Sequence, residues 1–152
     1  MIRIEQVDIT EADRVFDLVS LLLAELSDDD GEFHGLDRDK ILADWNRNAE
    51  RFTAFVAKSD DGKDVGVLTL TETFAIYAGG CYGVIDELYV APEFRSRHVG
   101  RMLLEQVKEY GRARGWQRID VTAPLGNKWR RTVNFYLREG FVHTGPKLRY
   151  KW

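Results

Sequence analysis

The chain has 152 residues, enough for one domain with a core that needs no covalent staples. Its formal net charge of -3 excludes the basic excess of a nucleic-acid-binding protein, and Cys81, the sole cysteine, excludes an intrachain disulfide. The opening "MIRIEQVDIT" has no apolar signal segment and no apolar run is long enough to cross a bilayer, so the expectation is one cytoplasmic domain spanning 1–152, without membrane or nucleic-acid partners.

"IRIEQV" alternates apolar and polar residues and predicts a first strand. "ITEADRVFDLVSLLLAEL" follows with Val15, Phe16, Leu18, Val19, Leu22 and Leu23 at helical spacing, and Thr10 with Asp13 resembles a capping box. "SDDDGEFHGLDRDK" breaks the pattern as a loop, and "DKILADWNRNAERF" predicts a second helix. "TAFVAKS" and "VGVLTLTETFAI" read as strands joined by the turn "DDGKD". "YAGGCYG" is a turn, and "VIDELYVAP" is a strand ended by Pro92. "VGRMLLEQVKEYGRARG" is a helix with Met102, Leu103, Leu104, Val107 and Tyr110 inward and Gly115 at its end. "WQRIDVTAP" predicts a strand, "RRTVNFYLREG" a short helix and "FVHTGPKLRYKW" a last strand. Three successive central strands suggest antiparallel hairpins, whereas the strand–helix–strand unit from Val84 to Thr122 requires a parallel pair with a crossover. The fold class is therefore α+β, with a mixed, largely antiparallel sheet of six to seven strands flanked by helices.

The segment "APEFRSRHVGRMLLEQV", residues 91–107, places arginines and a glycine where a helix starts. A helix N-terminus already carries partial positive charge, so Arg95, Arg97 and Arg101 are unfavourable there unless an anion is bound. Gly100 allows close backbone approach, and a pyrophosphate suits the loop better than a lone carboxylate. No Walker motif and no dinucleotide fingerprint is present. A solvated basic helix face is the alternative reading, and composition alone leaves both open. His34, His98 and His143 are too scattered to argue for a metal, and Cys81 lacks an adjacent activating partner. Trp45, Trp116, Trp129 and Trp152 share no spacing and read as packing residues.

"YVAPEFRSRHVGRMLLEQVKEYGRARGW" resembles motif A of the GNAT N-acetyltransferase family, in which Gln/Arg-x-x-Gly-x-Gly/Ala links the fourth strand to the third helix. Arg95 matches the first position and Gly100 the last, while His98 stands in place of the first glycine. "FYLREGFVHTG" is similar to the family's closing segment, with Tyr136 and Gly140-Phe141 in register. Trp129 occupies the position where the family usually has asparagine. The resemblance runs from about Val84 to Gly145.

It implies the GNAT fold and acetyl transfer from acetyl-CoA to an amine, with no metal; homodimers are frequent in the family. The pantetheine would lie along the backbone of Leu88, Tyr89 and Val90, and the pyrophosphate on Arg95, Ser96, Arg97, His98, Val99, Gly100 and Arg101. Tyr136 stands where the family's general acid stands, and a backbone N–H near Val90 would polarise the thioester carbonyl. A base must deprotonate the amine, whose pKa is about 10.4 for a lysine-like group. Asp86 and Glu87 are adjacent, so strand alternation sends them to opposite faces and only one meets the acceptor; the resemblance favours Asp86. Both could instead simply solvate the strand. Asp28, Asp29, Asp30 and Glu32 lie in the loop that walls the acceptor cleft in the family, and would attract a small cationic amine, or serve only as a solvated cap. The rival functions are a CoA-binding regulatory module without catalysis and a protein lysine or N-terminal acetyltransferase.

Overall fold

The computed structural model describes residues 1–26, 35–124 and 126–152. The chain divides into two compact units, Met1–Asp120 and Val121–Trp152.

The elements of the first unit are β1 (Arg3–Val7), α1 (Ala12–Leu26), α2 (Arg38–Arg47), β2 (Phe52–Lys58), β3 (Asp64–Ala75), β4 (Gly80–Val90) and α3 (Val99–Ala113), with β5 (Ile119–Val121) at its end. The strands form one sheet in the order β1-β2-β3-β4-β5, and the first four pair antiparallel with their neighbours. β5 follows the α3 crossover, the connection that a parallel neighbour needs. β2 and β3 are buried over Thr53–Ala57 and Val65–Leu70, which is why they read as nearly continuous apolar runs. Helices cover both faces. Thr53 Oγ1 donates to the hydroxyl of Tyr110 of α3 at 3.1 Å, and the Tyr110 ring meets the Phe55 ring edge-on at 5.8 Å. On the other face Trp45 of α2 meets Phe52 at 4.9 Å and Phe16 of α1 at 6.3 Å. Val99, Leu103, Leu104 and Val107 anchor α3, whereas Met102 and Tyr110, expected inward, are half-buried.

Two local expectations change. A short 3-10 turn, Ile9–Glu11, precedes α1, and Asp8 rather than Thr10 supplies the cap, accepting from the Thr10 N–H at 2.9 Å. The second helix stops at Arg47, because Phe52 is already paired with Thr71 in the sheet.

The second unit holds α4 (Arg130–Arg138). Its end is closed by the Phe141 N–H donating to the Tyr136 carbonyl at 3.0 Å. The sheet has five strands among the described residues, not six or seven, and residues 141–152 form none. Gly145, at φ 138°, and Pro146 interrupt the segment, and Val142, Leu148, Tyr150 and Trp152 are exposed. Their alternation matches a strand, but a strand is defined by a hydrogen-bonded neighbour.

Candidate active site

The centre of the site is an irregularity in β4. Thr69 of β3 is opposite Glu87, but the next residue, Leu70, is opposite Ile85, so Asp86 is an extra residue, a β-bulge. The bulge overturns the expectation that Asp86 and Glu87 face opposite ways. Thr69 Oγ1 donates to Glu87, and Thr71 Oγ1 donates to Asp86. Thr69 and Thr71 are two residues apart on one strand and share a face, so both carboxylates lie on that face. Their surroundings differ: Asp86 is exposed and Glu87 is half-buried. Burial pushes the Glu87 carboxyl above the ordinary value of 4.5, the nearby Asp86 charge adds to the rise, and the Thr69 hydrogen bond opposes it. The Glu87 N–H also donates to Thr69 Oγ1 at 3.0 Å, so one threonine fixes both ends of the residue.

Glu87 and Thr69 form the floor of a cavity of about 610 Å³ between the sheet and helices α1 and α2. Its walls are mainly apolar, with Phe16, Leu23, Ile41, Trp45 and Phe52 prominent. Trp45 therefore does more than fill the core. Arg38, exposed at the start of α2, also lines the cavity, with its guanidinium 5.0 Å from the centre of the Phe16 ring.

Beyond Glu87, β4 runs through Leu88, Tyr89 and Val90, paired on one side with Leu68, Val67 and Gly66. On its other side, the Gly83 N–H donates to the Arg118 carbonyl at 3.3 Å, and the three-residue β5 begins there. The loop after β4 then reaches α3. Ser96 and His98 take φ values of 68° and 65°, the left-handed region. This explains what a glycine would do at position 98: it adopts that conformation without the cost a side chain incurs. His98 in the left-handed region followed by helical Val99 turns successive N–H groups to one side, a concavity suited to an anion. The first intrahelical bond is Met102 N–H to the His98 carbonyl at 2.9 Å, so the Val99 and Gly100 amides precede the helical ladder.

The three arginines are not equivalent. Arg95 Nε donates to the Val90 carbonyl at 2.8 Å, and its Nη2 donates to Glu25 of α1 at 2.7 Å, with the guanidinium 5.5 Å from the centre of the Tyr89 ring. Its side chain ties the loop to α1 and β4. Arg97 lies over Phe94 at 5.4 Å, and Arg97, His98 and Arg101 are exposed. In the second unit Tyr136 is 6% exposed, with Phe135 and Phe141 both 5.4 Å from its ring, and burial raises its phenol far above the ordinary value. Asp28, Asp29, Asp30 and Glu32 lie outside the described residues. Thr69, Thr71 and Glu25 were not singled out from the sequence; the period-two threonines of "LTLTET" are the one local signal for the first two. Among the described residues no cluster of three or more His, Cys, Asp or Glu could hold a metal ion, and no helix is long and apolar enough to cross a membrane.

A mixed sheet covered on both faces, with a bulged strand leading to an anion-suited loop that opens a helix, is the frame of the site. The profile of the acetyltransferase (GNAT) family matches residues 18–141. The chain belongs to the GNAT acetyltransferase family, which uses acetyl-CoA as co-substrate. It is 32% identical over 81 residues to the aminoalkylphosphonate N-acetyltransferase of Salmonella typhimurium, covering 53% of this chain and 51% of that protein, so the match spans about half of that relative. It is 27% identical over 130 residues to the IAA acetyltransferase of Azospirillum brasilense, covering 86% of this chain and 80% of the relative. An aminoglycoside acetyltransferase from an uncultured soil metagenomic sample shares the fold with a TM-score of 0.82, at 22% identity over 100% of this chain and 99% of that one.

Proposed function

We propose that this chain transfers the acetyl group of acetyl-CoA directly to the primary amine of a small molecule, with Glu87 as the general base. The observation that carries the reading is the half-buried Glu87 carboxylate on the cavity floor, three residues from Val90, where the anion-suited loop begins. A carboxyl raised by burial is better matched to removing a proton near neutral pH than an exposed one. Asp86, on the same face but exposed, serves best as a charge that tunes Glu87.

The loop from Arg95 to Arg101 would receive the pyrophosphate through the N–H groups of His98, Val99 and Gly100 and the charges of Arg97 and Arg101. Ser96 shapes the loop, and Arg95 braces it. Leu88, Tyr89 and Val90 offer main-chain groups to the extended pantetheine. The thioester, when bound, supplies the activated acetyl group. A backbone N–H near Val90 would polarise its carbonyl, and the likeness of "FYLREGF" to the family's closing segment gives Tyr136, whose phenol burial keeps protonated, the role of donor to the departing thiolate. The family profile runs across both compact units, which supports reading them as one acetyltransferase domain.

The test is purified protein with acetyl-CoA and a panel of primary amines, followed by thiol release. Release that requires an amine supports the enzyme. Binding of CoA by calorimetry without turnover on any amine would leave the regulatory module.

A further inference from the structure

We infer that the acceptor is a monoamine with an apolar alkyl or arylalkyl body, rather than a polycation such as a polyamine or an aminoglycoside. This rests on the reading of Glu87 as the partner of the reacting amine. The reason is the distribution of charge around the cavity. Among its described lining residues the ionisable ones are Glu87 and Arg38. Glu87 is a half-buried carboxylate at the floor, matched to one ammonium group. Between floor and mouth the described walls are mainly carbon: Phe16, Ile41, Trp45 and Phe52 present rings and branched chains beside the Ser20 hydroxyl, and Glu87 is the one carboxylate among the described lining residues. Arg38 stands exposed at the mouth, 3.9 Å from Asp17 and over Phe16. A second ammonium on the same substrate would be desolvated against carbon or placed beside a guanidinium, and both are unfavourable. An apolar body in the same place gains from leaving water.

The experiment compares kcat/KM for n-alkylamines from propylamine to heptylamine, and for heptylamine against 1,7-diaminoheptane. Burial of each added methylene predicts a rise of about fourfold per carbon until the cavity is filled. The diamine should be poorer than heptylamine by roughly tenfold or more, and Arg38→Glu should narrow that gap. Val19→Trp, which fills space in the same cavity, should depress heptylamine far more than propylamine while leaving CoA affinity unchanged. A flat alkyl series, or a preference for the diamine, would overturn this inference and direct attention to the acids at 28–32, while the acetyltransferase reading would stand. Absence of turnover on every amine would overturn both.

Discussion

Glu87→Gln separates the chemistry of the carboxylate from its packing. The amide keeps an acceptor for the Thr69 hydroxyl and nearly the same volume, but it cannot take a proton. Loss of a general base lowers turnover by about 10²–10⁴-fold, or roughly 2.7–5.5 kcal/mol of barrier. Stability should move the other way. Burial raises the folded-state pKa of Glu87 above its ordinary 4.5, so its favourable contribution is complete at pH below the unfolded value and lost as pH rises through the folded one. Above the unfolded value the wild type therefore bears the cost of a carboxyl whose charged form is disfavoured by burial, which glutamine does not. Thermal unfolding should show Glu87→Gln at a higher Tm than wild type near pH 7.5, with the difference shrinking toward pH 4. Single-turnover acetylation, monitored by thiol release, should show an acidic limb in the wild type with a pKa above 4.5, absent from the variant. Wild-type turnover in the glutamine variant, under conditions where chemistry limits, would refute the base assignment. A lower Tm at neutral pH would refute the electrostatic account.

Asp86→Asn removes the neighbouring negative charge that raises Glu87, so the acidic limb of the pH profile should shift to lower pH. Tyr136→Phe should lower kcat by about 10²-fold with CoA affinity by calorimetry nearly unchanged, since the hydroxyl acts on the leaving group. Gly100→Glu places a negative side chain among the first-turn amides of α3 and should abolish measurable acetyl-CoA binding. Gly83→Ala should destabilise by about 1–3 kcal/mol, because an added Cβ would lie 2.8 Å from Cε3 of Trp116, a ring that leaves no room for a Cβ at Gly111 either; thermal unfolding reads this as a Tm loss of about 2–4 °C per kcal/mol.

What the sequence showed was local. The strand ending at Pro92, the arginine-rich loop and the start of α3 at Val99 were all legible, because Pro, Gly and helical periodicity act over a few residues. The face of Glu87 was not, because it depends on the pairing of β4 with β3, and nothing in "VIDELYV" marks Asp86 as the bulged residue. Nor was the role of Arg95: its partner, Glu25, is 70 residues away. The cavity escaped notice for a related reason. Phe16, Trp45 and Phe52 are the aromatic residues that core packing also needs, and only the assembled α1, α2 and sheet leave space between them. The final strand failed because alternation in "KLRYKW" describes one partner of a ladder and says nothing about the other.

In the proposed reading the bulge also lets one strand serve two substrates. Acetyl transfer needs the amine and the thioester held within a narrow range of separation, and a loop would hold them poorly. β4 lies beside β3 near the middle of the sheet, with Ile85 and Tyr89 buried. At about 3.3 Å per residue, Glu87 lies roughly 10 Å along the strand from Val90. In the proposed reading the side chain of Glu87 meets the acceptor in the cavity, while main-chain groups a few residues later receive the cofactor. The extra residue bends and twists the strand at the changeover. Strain at Ser96 and His98 can persist beyond it because the loop is tied at both ends. Arg95 binds the Val90 carbonyl behind it and Glu25 of α1 beside it, and Val99, 1% exposed, fixes the start of α3 in the core. The left-handed residues are thus held in place by tertiary contacts, as a strained turn requires.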